Sequence, residues 1–132
     1  MKPSPELRDL LLRFYEALSS GDESFIDSHF SLAEAARAVG TDPAEWWQGP
    51  RVVGAWKEQV EAMGGSMPLV GGDPEAFVEG TVGWAADRPT LQLGGGGVPV
   101  RLTAVFHQED GEWKLVQVHG SLGVPNEEPS GQ

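Results

Sequence analysis

The spacing of apolar residues divides the chain into a helical first half and a second half that favours strands. Large apolar residues recur every three to four positions from Leu7 to Leu18, which predicts an amphipathic helix. Ser4 suits the cap at the start of this helix, and Gly21 suits the position just past its end. Shorter patterns of the same kind predict a second helix over 22–30 and a third over 50–63.

Two segments between these helices have mixed signals. Residues 32–39 are rich in Ala and Glu, which favour helix, but their position before Gly40 suits a short strand, and both alternatives stay open. Residues 42–45, Asp-Pro-Ala-Glu, have the composition of a capping box with proline in the first turn. This pattern predicts a short helix that carries Trp46 and Trp47.

The apolar period changes to two from residue 67 onward, which predicts strands over 67–70, 76–86, 90–93, 98–108 and 112–122. Asp110-Gly111, between the last two strands, is a strong hairpin signal. Helices followed by hairpin-linked strands indicate an α+β layered domain. We assign this domain to residues 1–125 and expect 126–132 to be a disordered polar tail.

A two-residue loop at Asp110-Gly111 would determine which side chains of the last two strands share a face. Strict alternation from this loop puts Leu102 and Phe106 on the same, mostly apolar face as Gln117, His119 and Ser121. An apolar wall with a few convergent polar groups is typical of a ligand cavity, although a packed core would show the same pattern. The predicted cavity residues are Tyr15, Trp47, Trp84, Leu102, Phe106, Gln117, His119 and Ser121. Trp46 stays open as the alternative to Trp47.

The opposite face of this hairpin is too apolar for a surface that contacts only water. It carries Arg101, Thr103, Val105, Val116 and Val118 in the register that strict alternation gives. The helices can cover only one side of the sheet, so a second subunit is the expected cover for the other side. The sequence therefore predicts a homodimer through this face.

Charge and composition exclude several classes of function. Twenty acidic residues against nine basic ones give a net charge of −11, which disfavours nucleic acids and anionic membranes as partners. Without cysteine the chain has neither disulfides nor thiolate metal sites. No apolar stretch approaches the roughly 20 residues of a membrane span, and we expect a cytoplasmic protein.

Residues 110–121, DGEWKLVQVHGS, resemble the terminal hairpin of SnoaL-like domains in the nuclear transport factor 2-like (ketosteroid isomerase-like) superfamily. They are similar also to the association domains of calcium/calmodulin-dependent kinases. Residues 40–47, GTDPAEWW, and 80–84, GTVGW, look like other parts of the same SnoaL-like subgroup. The resemblance covers about 5–125 and implies a cone, in which about three N-terminal helices wrap a curved, mostly antiparallel sheet around a pocket.

The resemblance leaves three functions open. Our main interpretation is a homodimer that binds a small apolar or amphipathic organic molecule in the cone without a cofactor. The first alternative is an isomerase, cyclase or dehydratase with His119 as general acid and base. However, similar ketosteroid isomerases use an acidic base with a tyrosine and a protonated carboxylic acid, and the predicted cavity face of the hairpin strands carries no carboxylate. The second alternative is an assembly module without a ligand.

A metal site is not expected from the histidines. His29, His107 and His119 are far apart in sequence, and strict alternation points the last two to opposite faces of the sheet. No closely spaced pair of ligands such as structural zinc sites use is present.

Overall fold

Three helices lie within residues 1–126, the part of the chain that the computed structural model describes. They are α1 (Pro5–Ser20), α2 (Glu23–His29) and α3 (Arg51–Ala62). The Ser4 hydroxyl accepts a hydrogen bond from the Leu7 N–H at 3.1 Å, and Gly21 has a left-handed φ of 72°, so both predicted ends of the first helix are correct. None of the described helices is long and apolar enough to cross a membrane. Beyond Asn126, the predicted tail lies outside the described residues.

The same part of the chain contains ten strands in two sheets. They are β1 (Lys2–Pro3), β2 (Arg37–Val39), β3 (Trp46–Gln48), β4 (Leu69–Val70), β5 (Glu75–Glu79), β6 (Val82–Asp87), β7 (Thr90–Leu93), β8 (Gly96–Pro99), β9 (Arg101–Glu109) and β10 (Glu112–Ser121). The larger sheet has the order β1-β5-β6-β9-β10-β2-β3, and the smaller one has the order β4-β7-β8. Only β10 and β2 pair in parallel among these strands. The predicted α+β class with a mostly antiparallel sheet is confirmed.

The predicted helix at Trp46-Trp47 is wrong, because these residues form β3. The capping hydrogen bonds do form: the Asp42 N–H donates to Glu45 Oε1 at 2.9 Å, and the Ala44 N–H donates to Asp42 Oδ1 at 2.8 Å. They close a turn rather than opening a helix, since the Gly40 N–H donates to the Glu45 carbonyl at 2.9 Å. β3 then pairs antiparallel with β2. Of the segment 32–39, for which helix and strand stayed open, Arg37–Val39 is therefore a strand.

Two predicted strands are each divided in two. The segment 76–86 turns at Gly80, whose φ of 61° suits a hairpin, and becomes β5 and β6. The segment 98–108 begins in the small sheet as β8 and continues in the large sheet as β9 after Val100. Alternation of exposed and buried positions continues across the second break, which therefore looks like one long strand in the sequence. The turn at Gly80 reverses the alternation, since the paired residues Glu79 and Val82, three positions apart, share one face.

A bulge in β10 reverses the predicted faces of the terminal hairpin. Phe106 pairs with Leu115 as alternation predicts, but Val105 pairs with Gln117, which leaves Val116 as an extra residue. One extra residue moves every following side chain to the other face. Val118 is therefore only 1% exposed beneath the helices.

The helices cover one face of the large sheet, here called the inner face, and the opposite face is called the outer face. Leu7, Leu11 and Phe14 of α1 are fully buried, as is Phe106 on the inner face of β9. Burial of an apolar side chain of this size stabilises the fold by about 1.5–3 kcal/mol. The contact between α1 and the inner face therefore forms the centre of the core and fixes which strand residues face inward.

Candidate functional site

A cavity of about 160 Å³ lies beside this core, between α3, the β2–β3 hairpin and the two sheets. Its apolar wall consists of Ala38, Val39, Trp47, Ala55, Trp56, Met63, Met67, Leu69, Leu91, Val100 and Leu102. An apolar cavity of about 150 Å³ in another protein accepts a benzene molecule. The cavity therefore has room for one ring or an aliphatic group of similar size.

Small residues create this space. Gly120 on β10 lines the cavity, and a Cβ added there would meet nothing closer than Val100 Cγ1 at 4.0 Å. Ala38 on β2 and Ala55 on α3 also lie in the wall. Side chains of ordinary size at these three positions would occupy much of the volume, so the cavity depends on their smallness.

The polar side of the cavity is formed by Thr41, Glu45 and Gln59. Glu45 Oε2 accepts a hydrogen bond from Gln59 Nε2 at 2.7 Å, while Oε1 accepts the Asp42 N–H. None of the ion pairs formed within residues 1–126 includes Glu45. A carboxylate has about four lone-pair positions, so this one retains capacity to accept from a ligand.

Sequence reasoning missed this polar group. In the sequence, Glu45 belongs only to the predicted capping box, and Gln59 is a residue of the predicted third helix to which no role was assigned. Gln59 follows Ala55 by four residues and precedes Met63 by four, and this helical spacing puts it in the lining stripe of α3. That spacing was the available signal for Gln59, whereas the position of Glu45 depends on a hairpin that was predicted as a helix.

Two of the predicted cavity residues, Trp47 and Leu102, line the cavity. The neighbouring Trp46 is 60% exposed on the other side of β3. Phe106 faces the inner side as predicted, but it is fully buried in the core and is not part of the cavity wall. The strand alternation of β3 explains why one indole is inside and the other is outside.

The predicted cavity placement of Gln117, His119 and Ser121 is wrong. Gln117 and His119 are exposed on the outer face, and Ser121 pairs there with Arg101. The bulge at Val116 is the physical reason, since it reverses every side chain that follows it. His119 therefore does not reach the cavity in which the sequence prediction made it a general acid and base.

Trp84 is also wrongly predicted to line the cavity. It lies on the outer face beside Val105, where its ring centroid is 5.0 Å from that of Phe77. Its Nε1–H donates to Met1 Sδ at 3.3 Å. The aromatic pair belongs to the outer face and contributes nothing to the cavity wall.

Tyr15 is buried, but it lies outside the cavity wall, against the prediction. Its hydroxyl donates to Asp87 Oδ2 at 3.0 Å, and the Asp87 carboxylate also accepts three backbone N–H groups, from Gly72, Asp73 and Arg88. Burial, and secondly the charge and hydrogen bond of Asp87, raise the pKa of the Tyr15 phenol well above its ordinary value. Because four donors meet on one carboxylate, the Tyr15–Asp87 pair connects α1 to the end of β6 and to the loop between β4 and β5.

The predicted dimer face is partly correct in its placement. Arg101 and Thr103 are exposed on the outer face, and Val105 is half-buried there. Val118 is wrong, because it faces the core, and Val116 is the bulge residue and packs partly against the core.

The two histidines of the hairpin share the outer face, against the prediction that they point to opposite sides. His107 pairs with Lys114 and His119 pairs with Thr103, on the two sides of the bulge. Within residues 1–126, no three His, Asp or Glu side chains come together as ligands of a metal would.

Known structures show the same fold as this chain. A nuclear transport factor 2-like protein of unknown function from Pseudomonas putida KT2440 superposes with a TM-score of 0.76 at 18% identity, over 96% of this chain and 89% of that chain. A protein from Thiobacillus denitrificans, provisionally named a calcium/calmodulin-dependent protein kinase type II association domain, has a TM-score of 0.76 at 17% identity, over 94% and 98%. A protein from Shewanella frigidimarina, provisionally named a ketosteroid isomerase, has a TM-score of 0.67 at 18% identity, over 86% and 92%.

These likenesses establish the predicted α+β cone of the nuclear transport factor 2-like fold, and at such low identity they establish the fold alone. No curated protein sequence matches this chain significantly. A model of the SnoaL-like domain family, in contrast, matches residues 7–125, nearly the whole chain. By this match the chain belongs to the SnoaL-like domain family.

Proposed function

We propose that the cavity beside α3 binds a small, mainly apolar organic molecule of about one ring. The observation that supports this most strongly is the combination of a 160 Å³ apolar cavity with the three polar side chains of Thr41, Glu45 and Gln59 on one side of it. Apolar burial provides affinity in such a site, and a few polar groups orient the ligand. A four-ring steroid is too large for a space that matches a single ring, so a steroid is not the proposed ligand.

Benzyl alcohol, a neutral single ring with one polar group, is a suitable probe. Ligand-observed NMR or calorimetry should give a dissociation constant of about 1 mM or tighter, equivalent to at least about 4.1 kcal/mol of binding free energy. Gly120→Val adds three carbon atoms at the cavity wall, the first of which would have Val100 Cγ1 as its nearest neighbour at 4.0 Å, and valine suits a strand. We expect it to weaken binding at least roughly tenfold, a cost of about 1.4 kcal/mol.

Gly54→Ala is the matched control, because it also adds carbon at a glycine but on the exposed side of α3, where a Cβ has no neighbour within 4 Å. Its affinity for benzyl alcohol should equal that of the unmodified protein. Equal affinity of a folded Gly120→Val variant would show that the probe binds elsewhere. Absence of binding to the unmodified protein would favour the assembly module without a ligand.

Homodimer formation through the outer face is part of the same proposal. Phe77, Trp84 and Val105 lie side by side there on three adjacent strands, and each is only partly covered. Val82 on the same face is 43% exposed. A second copy of the chain would remove this apolar band from water.

Val105→Asp should shift the protein to monomer in light scattering, because it puts a charge in the middle of this band. Val70→Asp is the control, since Val70 is 53% exposed on the small sheet and should leave the subunit count unchanged. A monomeric unmodified protein, or a Val105→Asp variant that remains a dimer, would exclude this interface.

Proton transfer without a cofactor is a second candidate, favoured by the Glu45 carboxylate in an apolar cavity. In this reaction, Glu45 would accept a proton from the carbon next to a carbonyl group and return it to the same or a neighbouring carbon. Acetophenone in D₂O would then gain deuterium in its methyl group, visible by NMR, and Glu45→Gln would abolish the gain. Deuteration at the same rate by Glu45→Gln would exclude this role.

A further inference from the structure

We infer that the cavity is built for an organic cation, in which an ammonium group beside Glu45 carries an apolar body of about one ring. This inference rests on the proposed ligand-binding function and adds the chemical class of the ligand. It follows from three features of the wall: an unpaired carboxylate, two indoles with two thioethers, and the absence of basic lining residues.

The carboxylate of Glu45 has fixed geometry and unused capacity. Gln59 Nε2–H and the Asp42 N–H each donate to one of its oxygens, at 2.7 and 2.9 Å. Gly40 lies directly against it, since a Cβ at that position would be 2.5 Å from Glu45 Oε1. The neutral donors hold the carboxylate in place and leave its charge uncompensated, so a ligand that brings a positive charge gains an ion pair.

The apolar wall beside this carboxylate is of the kind that attracts cations. Trp47 and Trp56 supply two indoles, and indole is the side chain that attracts cations most strongly through its ring. Met63 and Met67 add polarisable thioethers to the same wall. A neutral hydrocarbon would gain apolar contact with these groups but not the electrostatic attraction that they offer a cation.

The surrounding charge points the same way. Among the described residues that line the cavity, none is Lys, Arg or His. The whole chain has a net charge of −11, which concentrates cations and repels anions. An anionic ligand such as a carboxylate would meet Glu45 without any lining cation to balance it, so a cation is the charge class that the site favours.

Benzylamine and benzyl alcohol test this inference as a pair of nearly equal shape, since the amine is a cation at neutral pH and the alcohol is neutral. Benzylammonium should bind about tenfold more tightly, as expected for an ion pair with added cation–π attraction. Glu45→Gln keeps the shape of the side chain and should reduce the ratio of the two dissociation constants to about twofold or less. Equal affinity of the unmodified protein for both probes would overturn the inference.

Glu58→Gln is the control for net charge, because it removes one negative charge from the exposed side of α3. It should keep the full preference for the amine, and an equal loss in both variants would assign the preference to the general field rather than to Glu45. Should Glu45→Gln not fold, Trp47→Leu gives an independent test, since loss of this indole should lower the preference for the amine about threefold. An unchanged preference in Trp47→Leu would contradict the inference. Binding of benzyl alcohol without preference for the amine contradicts only this inference, whereas binding of neither probe contradicts the proposed function itself.

Discussion

Alkaline pH should destabilise this protein through one side chain, Tyr15, which is the only tyrosine in the chain. It is 2% exposed, and its hydroxyl donates a hydrogen bond to Asp87. Burial disfavours the phenolate, and the charge of Asp87 adds to this effect, so the pKa of Tyr15 in the folded protein is raised well above its usual value of about 10. In the unfolded chain, the same phenol returns to its usual pKa.

The direction of the effect follows from the number of bound protons. Above about pH 10 the unfolded chain releases the phenol proton while the folded protein keeps it, so the free energy of unfolding decreases as pH rises. A difference of one proton corresponds to about 1.4 kcal/mol per pH unit. Integrated from neutral pH, the contribution of Tyr15 reaches a loss of about 1.4 kcal/mol at pH 11, while below about pH 9 it is negligible.

Urea unfolding of the unmodified protein and of Tyr15→Phe between about pH 8 and pH 11 measures this contribution as a difference. Lysines also titrate in this range, but they are common to both proteins and cancel. Tyr15→Phe should cost about 1–3 kcal/mol at pH 8, because it removes a hydrogen bond to a charged group, and that cost should shrink as pH rises.

Ultraviolet absorbance provides a second measurement, since the phenolate spectrum of a chain with one tyrosine reports a single site. The folded protein should show no phenolate at pH 11, and unfolding at that pH should produce it. Phenolate absorbance that rises near pH 10 in the folded protein, or parallel pH profiles for the two proteins, would refute the argument that burial and Asp87 hold this proton.

Two further pairs of substitutions test the fold. Val118→Asp should prevent folding because it buries an unpaired charge. His119→Gln on the outer face should change stability by less than about 0.5 kcal/mol in thermal unfolding. Similar melting temperatures for the two variants would contradict the faces that the bulge at Val116 gives these side chains. Gly83→Ala should destabilise by roughly 1–3 kcal/mol, since its Cβ would lie 2.8 Å from a backbone oxygen and clash with Leu7. Gly54→Ala, which meets no neighbour in α3, should stabilise by about 0.5–1 kcal/mol, and a loss of stability there would contradict the open position of this glycine.

The helices and most strands could be predicted because their signals are local. The apolar stripe from Leu7 to Leu18, the Ser4 cap and Gly21 all depend on neighbours within a few turns, and the structure keeps each of them. The Asp110-Gly111 hairpin is local in the same sense, and its turn pairs Glu109 with Glu112 as predicted.

The prediction failed where a distant partner determines the structure. Residues 42–45 form their capping hydrogen bonds, but whether the chain continues as a helix or pairs with β2 depends on β2, which itself pairs with β10. Local propensity carries no information about that partner. No pattern within residues 42–45 therefore predicts that Glu45 lines the cavity.

The bulge at Val116, which sequence alternation does not predict, determines which residue of β10 lines the cavity. Strict alternation would put His119 opposite Leu102 on the inner face, whereas the bulge puts Gly120 there. Because glycine has no side chain, the cavity exists at the place where an imidazole would otherwise fill it. The bulge at Val116 has no distinctive sequence pattern. Because of it, the candidate reactive group of the cavity is the carboxylate of Glu45 and not the imidazole of His119.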